Sequence, residues 1–305
     1  MQPNVSMCVG QKIEVKHRGN ALGFWFFRQT LGVFGLRGAY FLLSGVALHY
    51  LLFDIDARRQ AMSYVRHRFP SDGFLQNVNA VYRIFISQGR HLIDHFASLT
   101  GTVDFDMMLE GKEIIKKVSD AKEGCILLTS HFGNWQIAMP AFAQVNKKVY
   151  LVMRPEDNQA VAQSLGIGRE SSQIHLISPE GNLGGAIEIV KAVQEGAVVS
   201  MMGDRRYGFD SVKVPSFLGQ PAFFPYGAFV IAATCQVPVI VFLSVKTGDR
   251  KYTVDISRVI YPSYKEGKPK KDQLTEWVQE YVGVLEEFAQ KYPYQCFLFH
   301  DVWKT

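Results

Sequence analysis

Residues 125–136 read Cys-Ile-Leu-Leu-Thr-Ser-His-Phe-Gly-Asn-Trp-Gln. The run 125–129 is short and apolar and follows Glu123-Gly124, the pattern of a strand buried on both faces. Ile137-Ala138-Met139 opens a helix, read over residues 135–144. A strand passing through a tight turn into a helix is the building unit of α/β folds. His131 stands in that turn. An imidazole there can take a proton near neutral pH. The unpaired N–H groups of the helix's first turn can hold a developing negative charge. Gly133 would let a substrate approach the backbone. An ordinary packed or capping histidine is the competing reading, but Gly, Asn and Trp are poor filler for a helix start.

Outward from this unit, strands and helices alternate. Helices are expected over 106–119, 159–165, 183–194, 226–235 and 273–291. Strands are expected over 149–153, 175–177, 197–202, 237–245, 252–259 and 296–299, with a turn at Thr247-Gly248-Asp249 and a charged loop over 265–271. This pattern is an α/β sandwich, a mixed central sheet flanked by helices. Pro70-Ser71-Asp72-Gly73 is a clear break, and an amphipathic helix is read over 74–96. The division expected is an N-terminal membrane-associated helical segment, 1–72, and an α/β domain, 73–305.

The N-terminal segment is unusually apolar. Phe24-Trp25-Phe26-Phe27 precedes Arg28, and Arg37 is followed by an apolar stretch of 16 residues, 38–53. That is shorter than the roughly 18–20 residues a spanning helix needs. It suits an amphipathic helix lying in the membrane interface, or a short anchor dipping into one leaflet. Lys12, Lys16, His17 and Arg18 on one side, and Arg58, Arg59, Arg66, His67 and Arg68 on the other, would attract anionic headgroups. A buried core helix with solvated basic flanks is the alternative.

Composition adds bounds. With 305 residues, 48% of them hydrophobic, the chain can bury one large core. A net charge of +5 suits anionic partners: membrane surfaces, acidic carrier proteins, phosphorylated substrates. No nucleic-acid-binding signature is present. The cysteines at 8, 125, 235 and 296 lack metal or redox spacing, which points to a reducing compartment. Residues 1–16 lack the order of a secretory signal.

Segment 131–136 resembles the His-x4-acid motif of glycerolipid acyltransferases. In particular it is similar to the lipid A late acyltransferase branch (lauroyl/myristoyl acyltransferase-like) of the lysophospholipid acyltransferase superfamily, where His-Phe-Gly-Asn-Trp-Glu is a common form. Here the last position is Gln136. The resemblance implies His131 as general base, with the residue at 136 orienting it. Glutamine can accept a hydrogen bond from an imidazole N–H but supplies no charge. Three explanations stay open: the branch uses Gln natively, another acid serves, or Gln136 is an engineered replacement of Glu. Asp204, in Gly203-Asp204-Arg205-Arg206 after the strand 197–202, resembles the family's Asp-containing motif and is a candidate for that charge. Arg205, Arg206 and Arg154, the last in the family-like Arg154-Pro155, are candidates to hold phosphate or carboxylate. Gly133, Asn134 and Trp135 complete the substrate-binding set. Segment 178–182 is a turn capping the next helix, with a thin likeness to a Glu-Gly phosphate motif. The aromatic loop 217–227 resembles a family segment and could wall an acyl-chain groove. The tail His300-Asp301-Val302-Trp303-Lys304 is similar to the family's terminal His-x-x-Trp-Lys signature.

The resemblance implies a membrane-associated acyltransferase at the cytoplasmic face of a bacterial inner membrane. It would move an acyl group from an acyl carrier protein or coenzyme A thioester, the co-substrate, to a hydroxyl or amine of a lipidic or glycosylated acceptor. No metal or tightly held cofactor is expected. The partners expected are acyl carrier protein, an anionic membrane surface and the lipid acceptor. Two rivals are a thioester or lysolipid hydrolase, lowered by the lack of a Gly-x-Ser-x-Gly elbow, and a catalytically inactive lipid-binding or scaffolding protein.

Overall fold

The computed structural model describes residues 21–139, 145–153, 174–179, 185–205, 211–298 and 300–304, with side chains from residue 29 onward. Three helices come first: α1 (Ala21–Phe53), kinked at Gly35, α2 (Ile55–Arg68) and α3 (Phe74–Leu99). Asp54 caps α2 by accepting the Ala57 N–H at 2.9 Å, and Arg66, His67 and Arg68 in its last turn complement the helix dipole. On α1, Leu31, Leu36, Ala39 and Leu43 are buried against Ile93 and Ala97 of α3. The other face carries Phe34, Phe41 and Phe53 at 71, 84 and 70% exposure. The apolar part of this helix is longer than the sequence run suggested. Gln29–Phe53, 25 residues with mean hydropathy 1.6, is long and apolar enough to cross a membrane by length and composition. Arg37 falls within it, two residues beyond the kink at Gly35. About a quarter of its most apolar window (28%) is buried in the protein.

The central sheet has six strands in the order β11-β8-β2-β5-β3-β4. They are β2 (Cys125–Thr129), β3 (Val149–Val152), β4 (Ile174–Ile177), β5 (Val198–Met202), β8 (Val239–Val241) and β11 (Val259–Ile260). All pair in parallel except β11, which runs antiparallel to β8. β2 is buried along its whole length, as its unbroken apolar run requires. The remaining helices are α4 (Lys112–Asp120), α5 (Trp135–Ala138), α6 (Ala186–Gln194), α7 (Gly227–Cys235) and α8 (Lys270–Lys291). A smaller sheet orders β1 (Asp106–Glu110), β10 (Lys251–Asp255) and β9 (Leu243–Gly248). A hairpin joins β6 (Ser211–Phe217) to β7 (Gln220–Pro225). The fold is therefore the expected mixed α/β sandwich with apolar N-terminal helices. Buried residues of α1 and α2 share one core with the sheet: Ala47, Leu51, Ala61 and Tyr64 cluster with Ile126 and Leu128.

Several local expectations are corrected. Residues 106–119 are not one helix. Gly111, at φ 85°, breaks the chain between β1 and α4, and a Cβ there would stand 2.8 Å from the Ser257 nitrogen. β1 then pairs in parallel with β10, a long-range contact that periodicity does not reveal. Residues 237–245 are two strands: at Phe242, whose N–H bonds Leu128 O at 2.9 Å, the chain leaves one sheet for the other. Residues 296–299 form no strand among the described residues, only a bridge from Cys296 to Phe132. Segment 217–227 is half hairpin, and Phe217 and Phe224 are sealed in the core beside Trp303, so they line no open groove. The expected helix at 159–165 lies outside the described residues, as do 140–144 of the helix read over 135–144 and 180–182 of the capping turn.

A buried polar knot fastens these layers. Asp94 of α3, fully buried, accepts from Lys246 Nζ of β9 and from the Tyr252 hydroxyl of β10, each at 2.6 Å, and from the Tyr40 hydroxyl of α1. Burial pulls Lys246 below the usual lysine range, and Asp94 opposes the shift. Beside the knot, His91 stacks edge-on against Phe297 and touches Tyr252. Burial, reinforced by the Lys246 charge, lowers its pKa to about 3; burial lowers His95 to about 4. The folded state thus binds fewer protons here than the unfolded chain. Stability is expected to be complete above about pH 6.5 and to fall as pH drops toward 4 and below, by up to about 1.4 kcal/mol per pH unit per histidine. Thermal melts between pH 7 and 4 test this. His91→Phe, which keeps a flat ring in place, should flatten the acid slope; an unchanged slope would exclude His91 as a cause.

Candidate active site

Strand register builds the site. β2 and β5 are parallel neighbours, with Thr129 opposite Met202. Both end at the same carboxyl edge of the sheet, where α/β proteins place their ligands. Residues two positions beyond that pair, His131 and Asp204, therefore meet. The Asp204 carboxylate accepts the His131 main-chain N–H at 2.6 Å and holds ring Nδ1 at 3.0 and 3.2 Å. Asp204 is 1% exposed and His131 28%, so the acid is sealed while the ring reaches solvent. A carboxylate can only accept, which puts the ring proton on Nδ1 and leaves the Nε2 lone pair free to take a proton. Burial alone would raise the Asp204 pKa. The charge His131 can carry and its hydrogen bonds to the carboxylate outweigh that and hold Asp204 below the usual carboxylate range, with His300 adding to the effect.

The turn after His131 is held by main-chain bonds. Gly133 sits at φ 65°, and its N–H donates to Gln295 O at 2.8 Å. Asn134 N–H donates to Ser244 O at 2.7 Å. Asn134 Oδ1 accepts the Ile137 N–H at 3.4 Å as the cap of α5, and Nδ2 donates to His91 O at 2.8 Å. Gly133 and Asn134, expected to bind substrate, are engaged in these contacts. The space a Gly133 side chain would fill holds Ser244 O, 1.8 Å from the Cβ position, and Asn134 is buried with its amide committed. Both residues shape the turn. The N–H groups of Trp135 and Gln136, at the first two positions of α5, have no partner among the described residues. The candidate oxyanion donors narrow to these two. The Trp135 ring is half-buried against the cluster around Leu127 and Met139.

Gln136 is half-buried and makes no hydrogen bond to His131 among the described residues; Asp204 occupies the nitrogen it was expected to orient. Of the explanations open for Gln136, the geometry matches the one in which another acid serves. Gln136→Glu is accordingly expected to change turnover by no more than about fivefold, the rate equivalent of the ~1 kcal/mol a charge is worth in a helix's first turn. Steady-state rates check this, and a hundredfold rise would return position 136 to the ring. Arg205 follows Asp204, half-buried and within electrostatic reach of His300. Arg154 and Arg206 lie outside the described residues. His300, which the sequence offers only as part of a terminal signature, comes within electrostatic reach of Asp204 and His131 in the fold.

A family model described as bacterial lipid A biosynthesis acyltransferase matches residues 28–305. No curated protein matches the chain.

Proposed function

The chain belongs to the bacterial lipid A biosynthesis acyltransferase family and is an acyltransferase, and from this we propose that it moves an acyl group from an acyl carrier protein or coenzyme A thioester to a hydroxyl or amine of a lipidic or glycosylated acceptor, with His131 as general base. The observation that carries the reading is the His131–Asp204 pair at the carboxyl edge of the sheet, with one imidazole nitrogen backed by a buried carboxylate and the other without a partner among the described residues.

In this reading Nε2 takes the proton of the acceptor hydroxyl as its oxygen attacks the thioester carbon. Asp204 keeps the ring's tautomer fixed and balances the imidazolium charge. The tetrahedral oxyanion lies against the Trp135 and Gln136 N–H groups. On collapse the carbon–sulfur bond breaks, and the leaving thiolate takes the proton from His131. The base ends as it began, and the step balances with donor, acceptor and His131 alone. Arg205, next in the chain to Asp204, is suited to a phosphate on donor or acceptor.

The exposed face of α1 favours a membrane setting. Phe34, Phe41, Leu48, Leu52 and Phe53 point outward, joined by Phe74 and Leu75 at the start of α3. Such a helix at the inner membrane's cytoplasmic face would hold the site where an amphipathic acceptor is concentrated, and the net charge of +5 favours anionic lipid and an acidic carrier protein. The test is thiol release from acyl carrier protein thioesters by the full chain in vesicles. Release only with bacterial lipid present is the expected result. Release without acceptor would indicate a hydrolase, and none under either condition a binding protein; each overturns the reading.

A further inference from the structure

β2 and β5 part just before the His131–Asp204 pair, and polar contacts hold the fork between them. Thr129, the last residue of β2, is buried. Its hydroxyl donates to Met201 O of β5 at 3.1 Å, and its carbonyl accepts the Gly203 N–H at 2.8 Å. A second donor reaches the same carbonyl: the hydroxyl of Tyr281, fully buried on α8, at 3.0 Å. The Tyr281 side chain also packs on the other arm of the fork. A Cβ on Gly203 would stand 2.7 Å from the Tyr281 hydroxyl oxygen and 2.8 Å from its ring carbon Cζ. Glycine at 203 is what lets the tyrosine come so close. Seven residues further along α8, and so on the same face, Phe288 meets Phe132 edge-on with ring centroids 6.3 Å apart. One face of α8 therefore backs both the fork and the turn that carries His131.

We propose that Tyr281 is a positioning residue of the acyl-transfer site: its hydroxyl, bonded to Thr129 O while its ring packs on Gly203, sets the spacing of the two strand ends and so the distance at which Asp204 meets His131. Thr129 lies two residues before His131, and Gly203 one before Asp204. Planar peptide links absorb little, so a shift at either residue reaches the pair. The sheet alone does not fix the fork. Pairing of β2 with β5 ends at Thr129 and Met202. Beyond it, among the described residues, one main-chain bond joins the arms, Gly203 N–H to Thr129 O. One bond leaves the arms free to turn about it; a second donor arriving from α8 removes that freedom. The Thr129 carbonyl is already satisfied by Gly203, so the hydroxyl adds geometry more than it fills a need. The pair is sensitive to that geometry. Its Nδ1 contacts, at 3.0 and 3.2 Å, are long for a charge-assisted hydrogen bond, and a few tenths of an ångström more would weaken them. A displacement of about 1 Å at a reacting group can cost on the order of 100-fold in rate.

The kinetic half of this proposal rests on the acyl-transfer reading; the geometric half does not. The experiment compares Tyr281→Phe with the full-length wild-type chain. Phenylalanine keeps the ring on Gly203 and leaves Thr129 O its main-chain donor, so only the second bond is lost. Tyr281→Phe should lower kcat about tenfold, the effect of a shift of about half an ångström, with the thioester KM within about threefold. It should also shift or broaden the downfield proton resonance of His131 Nδ1–H. Placing para-aminophenylalanine at position 281, whose amine donates as the hydroxyl does, should restore both. Val278→Ala, one turn earlier on α8 and fully buried, loosens the core without removing a hydrogen bond and should leave kcat and the resonance near wild type. An unmoved resonance and unchanged kcat in Tyr281→Phe would overturn the proposal, as would an equal loss in Val278→Ala or no recovery with the amine. If the phenylalanine variant does not fold, fluorination of the tyrosine ring beside its hydroxyl takes its place, since it changes donor strength with little change of shape; an unmoved His131 resonance would again overturn the proposal. If wild-type protein consumes no thioester, the acyl-transfer reading fails by itself while the His131 resonance still decides the positioning role.

Discussion

Asp204→Asn is expected to reduce acyl transfer by about four orders of magnitude while leaving the fold in place. The carboxylate accepts two donors at once, the His131 main-chain N–H and ring Nδ1–H. An asparagine has one accepting oxygen. If that oxygen keeps the main-chain N–H, its NH2 faces the ring and can only donate. Nδ1 must then offer its lone pair, and the ring proton moves to Nε2, where the acceptor's proton was to be received. The same exchange in a serine protease triad lowers kcat about 10⁴-fold through the wrong tautomer. His131→Ala removes the base outright, and the double variant should lose little more than either single one, because the two side chains act as a unit. Single-turnover thioester consumption measures the loss, and far-ultraviolet circular dichroism checks the fold. Activity within tenfold of wild type in Asp204→Asn would remove the acid from the mechanism and reopen the case for Gln136. Asp204 also carries a stability signature. Its folded pKa lies below the unfolded one, so the pair's contribution is complete above about pH 4 and is lost as pH falls through the folded value. Asp204→Asn should lack that acid limb.

Gly133→Ala is expected to cost roughly 3–5 kcal/mol, a large part of a stability that is typically about 5–15 kcal/mol. Two effects add. At φ 65° an L side chain is strained by roughly 1–2 kcal/mol. The new Cβ would also stand 1.8 Å from Ser244 O and 2.7 Å from Ser244 C. Both are main-chain atoms of β9, which is paired on to β10, so neither can swing aside as a flexible side chain could. Relief requires a shift of the whole turn, which would break the Asn134-to-Ser244 and Gly133-to-Gln295 bonds and carry His131 away from its acid. Denaturant unfolding measures the stability, and protein that remains folded should be nearly inactive. A normal midpoint would mean that the turn is looser than its contacts imply.

Much of the fold was legible in short stretches. β2, β3 and β5 are parallel strands buried in the core of the sheet, so their residues are almost wholly apolar and bounded by Gly or charge. α3 and α8 carry their buried faces at helical spacing. His131 stood out because its neighbours suit no ordinary helix start. What was misread depended on distant partners. β1 looked like the opening of α4 until its pairing with β10 appeared. Residues 237–245 looked like one strand, although Phe242 passes the chain between sheets. His300 sits 169 positions from His131 in the chain, and nothing local distinguishes it from any other half-buried histidine.

The sequence by itself determined that the chain alternates strand and helix, begins with an apolar helix between basic clusters, and carries a histidine in a strand-to-helix turn. Those properties follow from hydrophobic period and local backbone preference, which act over a few residues. Only the tertiary structure decided which acid holds that histidine. Position 136 is five residues away along the chain, yet Asp204 is the partner, because parallel register sets Thr129 beside Met202 and carries both strand ends to one edge. Register is a long-range hydrogen-bonding property of two strands, and no short window of sequence contains it.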